Sequence, residues 1–167
     1  GTVRAEKSGE LPIQNWRRGG WSEVEQIGGQ RMADTILKKN YYCTSCPIGC
    51  GRHVEITEGA YGQVRGAGPE YETLGMMGSS CLVSDLNAIT YAADLCNRAG
   101  LDTIEAGSAI AMIMECYEQK LISLEELNGI DASWGNAAAL VELTRKLCDG
   151  EGVGLLLGLG VRGIAQK

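Results

Sequence analysis

Cys43-Thr-Ser-Cys46-Pro-Ile-Gly-Cys50 gathers three thiols into eight residues, with two and then three residues between them. Thiolates at that spacing can lie on one side of a short loop and each bind a different iron of a cubane cluster. A fourth ligand must then come from elsewhere. Gly49 and Gly51 let the backbone close around inorganic sulfide, Pro47 stiffens the turn, and Arg52 offers positive charge to an anionic cluster. Other chemistries fit parts of the same loop. Structural zinc uses two ligand pairs, and the single His53 stands too close behind Cys50 to complete the usual pattern; on a strand edge it reads as a surface residue. A thioredoxin-like pair opens a helix, whereas Pro47 and two glycines follow here. A disulfide framework calls for a small, cysteine-dense chain in an oxidising compartment. The spacing favours an iron–sulfur cluster, with zinc and structural or redox thiols as the alternatives.

A second stretch carries carboxylates. In Gly66-Ala-Gly-Pro69-Glu-Tyr-Glu-Thr73, Pro69 stands at the start of an expected helix and Glu70 and Glu72 lie near its first turn. Both acids can simply complement the positive end of the helix dipole. In the functional alternative, one of them is held near a reactive centre with its proton affinity tuned by its surroundings, and Tyr71 serves as a donor.

The elements that must position these groups read as mainly α: a helical bundle with a small β-hairpin next to the cysteine loop. Residues 1–21, with Pro12 and Gly19-Gly20, predict an extended arm carrying Leu11, Ile13, Trp16 and Trp21 onto a packing surface. Residues 22–167 form the expected helical domain. The pattern predicts a helix over 23–39 opened by a Ser22–Glu25 capping box, although Gly28-Gly29 weakens its middle. A hairpin is expected from His53 to Val64. Further helices are predicted at 85–98, capped by Ser84-Asp85, and at 104–118 after Leu101-Asp-Thr103. A short helix with a Ser123–Glu126 capping box, one at 134–148 and a last short one within 152–166 complete the expectation.

Composition narrows the function classes. A net charge of -6 over 167 residues leaves no basic stripe for phosphates, which argues against nucleic acid. The most apolar stretch, residues 152–161, is too short and too glycine-rich to span a bilayer. Cys81, Cys96, Cys116 and Cys148 lie scattered in apolar surroundings and read as buried free thiols of a soluble protein of the reducing cytoplasm. The start, Gly1-Thr-Val without Met, reads as an excised piece or a tag remnant.

Three stretches together carry a resemblance. Cys43-x-x-Cys46-Pro-Ile-Gly-Cys50-Gly-Arg, then Gly68-Pro-Glu-Tyr-Glu-Thr73-Leu, then Asn97-Arg-Ala-Gly100-Leu-Asp-Thr103 follow one another as they do in the tungsten-containing aldehyde ferredoxin oxidoreductases. Leu11-Pro-x-x-Asn15-Trp16 also resembles the family's stretch before its cluster. The resemblance implies an oxidoreductase with one [4Fe-4S] cluster and a tungsten or molybdenum bis-pyranopterin, which oxidises small aldehydes to acids and passes electrons to ferredoxin. It implies Cys43, Cys46 and Cys50 as cluster ligands, Glu72 as the acid near the metal with Tyr71 beside it, and Asn97, Gly100, Leu101 and Asp102 as the pterin-binding turn. The implied partners are ferredoxin, the remaining domains of the same enzyme and a second copy in a homodimer.

The chain departs from the family's pattern in three respects. Asn97 stands where the family usually has Asp, so an acceptor is kept and the charge is lost. A second pterin motif carrying the fourth cysteine does not occur, nor do the expected downstream histidine and the N-terminal domain that walls the pterin site. These departures imply the middle domain of a longer enzyme, inactive and without metal in isolation. The alternatives are the catalytic subunit of a tungsten-dependent benzoyl-CoA reductase, or a non-enzymatic zinc or interaction module.

Overall fold

Asp85, Asp102 and Asn136 decide where the three long helices begin. The Asp85 carboxylate accepts from the N–H groups of Asn87 and Ala88 at 2.9 and 3.1 Å. Asp102 accepts from Ile104 and Glu105 at 2.7 and 2.8 Å, and the Asn136 side chain from Ala139 at 3.1 Å. Each satisfies amides that the first helical turn would otherwise leave open. In the computed structural model, which describes residues 1–167, these caps open helices Leu86–Ala99, Thr103–Glu118 and Ala137–Asp149.

In chain order the helices are α1 (Thr2–Ser8), α2 (Gly29–Thr35), α3 (Tyr71–Thr73), α4 (Leu86–Ala99), α5 (Thr103–Glu118), α6 (Ala137–Asp149), α7 (Val153–Leu157) and α8 (Gly160–Ile164). The fold is mainly α, with α4 packed on α6 and Ile89, Ile110, Ile113, Met114, Leu140 and Leu143 fully buried between the helices. Burying each such side chain contributes about 1.5–3 kcal/mol, which is what holds the bundle together. One three-stranded antiparallel sheet stands beside it: β1 (Leu37–Tyr41), β2 (Gly51–Ile56) and β3 (Val64–Ala67), in the order β1-β2-β3.

Between α3 and α4 the chain makes a π-helical turn, Leu74–Gly78, and a short 3-10 turn, Ser79–Cys81. The π turn packs on α5, where Gly107 presents backbone instead of a side chain. A methyl group there would lie 2.7 Å from the Met76 carbonyl carbon and 2.8 Å from its Cβ. The close approach fixes the depth of the segment that α3 starts.

Several local expectations change. Residues 2–8 are helical rather than extended, because Arg, Ala, Glu and Lys favour the helix and Gly9 closes it in the left-handed conformation. Leu11, Ile13 and Trp21 are buried in the same core as α4 and α5, and only Trp16 of that set stands out, 65% exposed. The expected helix over 23–39 breaks at Gly28 into a 3-10 turn (Val24–Ile27) and α2, and its last residues become β1. Neither Ser22 nor any other side chain caps that 3-10 turn. The reciprocal Ser123–Glu126 capping bonds form, Ser123 N–H to the Glu126 carboxylate at 2.8 Å and Glu126 N–H to Ser123 Oγ at 3.3 Å, but the segment they open stays a series of turns. Of the scattered cysteines, Cys81 and Cys96 are buried, whereas Cys116 and Cys148 are half-buried. No helix is long and apolar enough to cross a membrane.

Candidate active site

The turn between α4 and α5 and the start of α3 face one another across a cavity of about 330 Å³. Its lining includes Glu70 and Glu72 from the α3 start, Asn97 from the last turn of α4, and Asp102 and Thr103 from the head of α5. Tyr41, the last residue of β1, closes one side. Two local devices make this arrangement. Gly100 ends α4 with φ 72°, so that the chain reverses in two residues and α5 starts close to Asn97. Thr73 and Thr103 then join the two sides through a hydroxyl–hydroxyl hydrogen bond of 2.8 Å.

The polar groups in the cavity are differently engaged. Glu70 is taken up by Arg52, whose Nη1 donates to its Oε2 at 2.5 Å. Glu72 is exposed and makes neither an ion pair nor a hydrogen bond within the chain. Asp102 uses one carboxylate oxygen, Oδ1, for both cap bonds, which leaves Oδ2 as an acceptor. The Asn97 side chain has no partner in the chain and offers both an acceptor and donors. The cavity can therefore receive a polar ligand with N–H groups on the Asn97–Asp102 side and hold a carboxylate, Glu72, on the other.

Tyr71 is placed otherwise than expected. It does not line this cavity, and its hydroxyl donates to the Glu10 carbonyl at 3.4 Å, tying α3 to the N-terminal residues. Burial, and then the nearby Glu10 and Glu72 carboxylates, raise its pKa above the usual phenol range, so it remains a protonated donor. Leu101 faces a neighbouring cavity with Glu105, Leu157 and Leu159, and Gly100 serves as the turn. Asn15 of the resembling Leu-Pro-x-x-Asn-Trp stretch is spent on the Glu115 carboxylate.

The cysteines occupy the hairpin loop between β1 and β2, residues 42–50. Cys43 and Cys50 are exposed and Cys46 is half-buried, so none is packed into the core. One backbone bond, from Cys46 N–H to the Cys43 carbonyl at 3.0 Å, braces the loop. The Tyr42 ring lies against Gly49 and the Tyr41 ring against Gly51, filling the space expected to admit sulfide. The three sulfurs are not gathered into one coordinating group. In donor type and accessibility the loop fits an iron–sulfur cluster, for which Cys43, Cys46 and Cys50 would supply three ligands.

Arg52 is the residue that sequence spacing placed in only half its role. Two positions beyond Cys50, it joins the loop to the cavity rather than merely facing the loop. The pairing with Glu70 lies 18 residues away along the chain and has no local signature.

Fold and site together define a helical domain with a thiol-bearing hairpin loop beside an acidic, cap-lined cleft. The model of the family described as "Aldehyde ferredoxin oxidoreductase, domains 2 & 3" matches residues 1–167. The chain belongs to that family, a family of oxidoreductases. It is 34% identical over 162 residues to the tungsten-containing aldehyde ferredoxin oxidoreductase of Pyrococcus furiosus, covering 96% of this chain and 26% of that protein. It is 28% identical over 170 residues to an aliphatic sulfonate oxidoreductase, WOR-like subunit, of the same organism, covering 99% of this chain and 26% of the relative. The chain thus spans about a quarter of the length of these relatives. A solved structure, the active site complex BamBC of benzoyl coenzyme A reductase with 1,5-dienoyl-CoA, shares the fold with a TM-score of 0.75 at 20% identity, over 96% of this chain and 24% of that one.

Proposed function

We propose that this chain forms the cluster- and pterin-binding part of a longer tungsten-dependent enzyme that oxidises aldehydes to carboxylic acids and delivers the electrons to ferredoxin. The observation that carries the reading is the cavity in which Glu72, Asn97 and Asp102, contributed by two separate motifs, come together. The reaction consumes an aldehyde and one water and yields the acid, two protons and two electrons. When bound, the pterin-held metal supplies two-electron redox chemistry, and the cluster supplies one-electron transfer toward ferredoxin.

The chain's own residues have separable tasks. Asn97 and the free Oδ2 of Asp102 accept from N–H groups of a pterin and orient it. Glu72, free of other partners, takes a proton at its carboxylate as water adds to the carbonyl carbon. Glu70, engaged by Arg52, is structural. Cys43, Cys46 and Cys50 would supply three thiolate ligands to the cluster.

The test uses the complete enzyme, purified without oxygen. The reading requires iron, acid-labile sulfide and tungsten in the protein, and reduction of ferredoxin by an aldehyde. Zinc alone, or turnover of an aliphatic sulfonate with none of any aldehyde, overturns it. Within that enzyme Glu72→Gln should lower kcat by about 10²–10⁴. Glu70→Gln should lose far less, and equal, full turnover in both variants would remove the catalytic assignment.

A further inference from the structure

We propose that Arg52 is a positioning residue that fastens the cysteine loop to the acidic cleft and balances the charge between them. One residue makes three bonds to three consecutive partners. Its carbonyl accepts from Gly68 N–H at 2.8 Å, and its Nη1 donates to the Pro69 carbonyl at 3.1 Å and to Glu70 Oε2 at 2.5 Å. The junction is tightly built: a methyl group on Gly68 would lie 2.6 Å from a methyl of the buried Val54 and 3.3 Å from Arg52 Cβ. Toward one end, Arg52 is two residues from Cys50. Toward the other, Glu70 is the residue on which α3 starts, so Glu72 is placed by what holds Glu70.

The same bonds carry charge. The Arg52 side chain is 26% exposed and the Glu70 side chain 46%, so solvent only partly screens the pair. Both side-chain bonds leave one nitrogen, Nη1, on a planar, rigid head; a lysine keeps the charge but replaces that head with a compact, strongly hydrated ammonium on a flexible stem. Arg52 thus has two functions, one geometric and one electrostatic, and they can be separated. This inference rests on the proposed cluster site, and the experiment distinguishes the two.

In the complete enzyme purified without oxygen, the reduction potential of the iron–sulfur cluster is titrated for the wild type, Arg52→Gln, Glu70→Gln and Arg52→Lys, and kcat is measured alongside. Removing the cation should lower the potential, because the reduced and more negative cluster loses a stabilising charge. Removing the carboxylate should raise it. Arg52→Lys should leave the potential at the wild-type value while kcat falls by about tenfold or more, since a flexible, strongly hydrated ammonium holds the α3 start less rigidly than the planar guanidinium. Opposite shifts in Arg52→Gln and Glu70→Gln support the proposal; a shared direction, or no shift in either, overturns it, since loosening alone would affect both alike. Wild-type kcat in Arg52→Lys overturns the geometric half. Where Arg52→Gln assembles no cluster, a raised potential in Glu70→Gln decides for the proposal and an unchanged one against it. A wild-type enzyme without iron and sulfide removes the proposed function and this inference together, whereas a normal cluster indifferent to all three variants removes only the inference.

Discussion

Replacing Gly107 by Ala tests whether α5 and the π turn are locked by their close approach. A helix interior normally gains about 1 kcal/mol from this change, since Ala is the better helix former. Here the new methyl would meet the Met76 carbonyl carbon at 2.7 Å, Met76 Cβ at 2.8 Å and the Met76 oxygen at 3.0 Å. Two of those three atoms are backbone, so no rotamer change clears them, and the π turn has to move away from α5. Overpacking of this kind costs about 1–3 kcal/mol, and a backbone neighbour places it near about 3. The net is about 2 kcal/mol of destabilisation, or a Tm lower by roughly 4–8 °C for a chain of this size. Thermal and urea unfolding of the chain measure it. Gly29→Ala is the control: nothing lies within 4 Å of its added methyl, and stability should hold or rise by up to about 1 kcal/mol. If Gly107→Ala is as stable as the wild type while Gly29→Ala behaves as expected, the π turn is not held by that contact, and the account of how α3 is placed fails.

Two other perturbations probe the site and the core. Asp102→Asn keeps an oxygen for the Ile104 and Glu105 amides and should hold chain stability within about 0.5 kcal/mol, whereas Asp102→Ala should cost about 1 kcal/mol. In the complete enzyme both variants should lose bound pterin, measured as its fluorescent oxidation product; full pterin content in Asp102→Asn would show that Asp102 is a cap only. For the core, burial pushes the Cys81 thiol from an ordinary value of 9.0 up to about 12. The unfolded chain therefore releases this proton first, so the stabilisation is complete below pH 9 and is lost as pH rises toward 12. The slope is about 1.4 kcal/mol per pH unit in that window. Urea unfolding of the wild type and Cys81→Ala between pH 8 and 11 should show the variant less stable at pH 8 but with the shallower decline; parallel curves would refute the assignment.

Much of the helical frame was legible because its signals are local. Asp85 and Asp102 each lie within three residues of the amides they cap, and Gly100 ends α4 from the next position. The sheet was only half legible. Leu37-Lys-Lys-Asn-Tyr41 has no alternation to mark a strand, and it becomes β1 by pairing with β2, as in Lys39 with His53 and Asn40 with Arg52, a contact that no short window contains. The helix at Thr2–Ser8 was missed for a related reason. Short helices are marginal alone, and this one is held by packing on the Val24–Ile27 turn. The π turn at Leu74–Gly78 has no composition of its own and follows from the shape of α5 at Gly107.

The site divides along the same line, between what residue types state and what distant contacts decide. Glu70 and Glu72 are equivalent as sequence, two acids near one helix start. They become inequivalent only because Arg52, on the central strand β2, claims the first and leaves the second facing Asn97 and Asp102. Tyr71, adjacent to both, is drawn out of the cleft by the Glu10 carbonyl, whose position depends on the burial of Leu11 and Ile13. The cysteine loop is the opposite case: its residue types offer three thiol donors within eight residues, but the folded chain contributes one brace, Cys46 to Cys43, and two tyrosine rings. Ligand convergence is driven by bonds to the metal rather than by side-chain packing, so spacing gives the kind of centre a loop can hold and not where its sulfurs rest. Arg52 belongs to both halves, and its bonds to Gly68, Pro69 and Glu70 carry the position of an otherwise lightly held loop into the cleft.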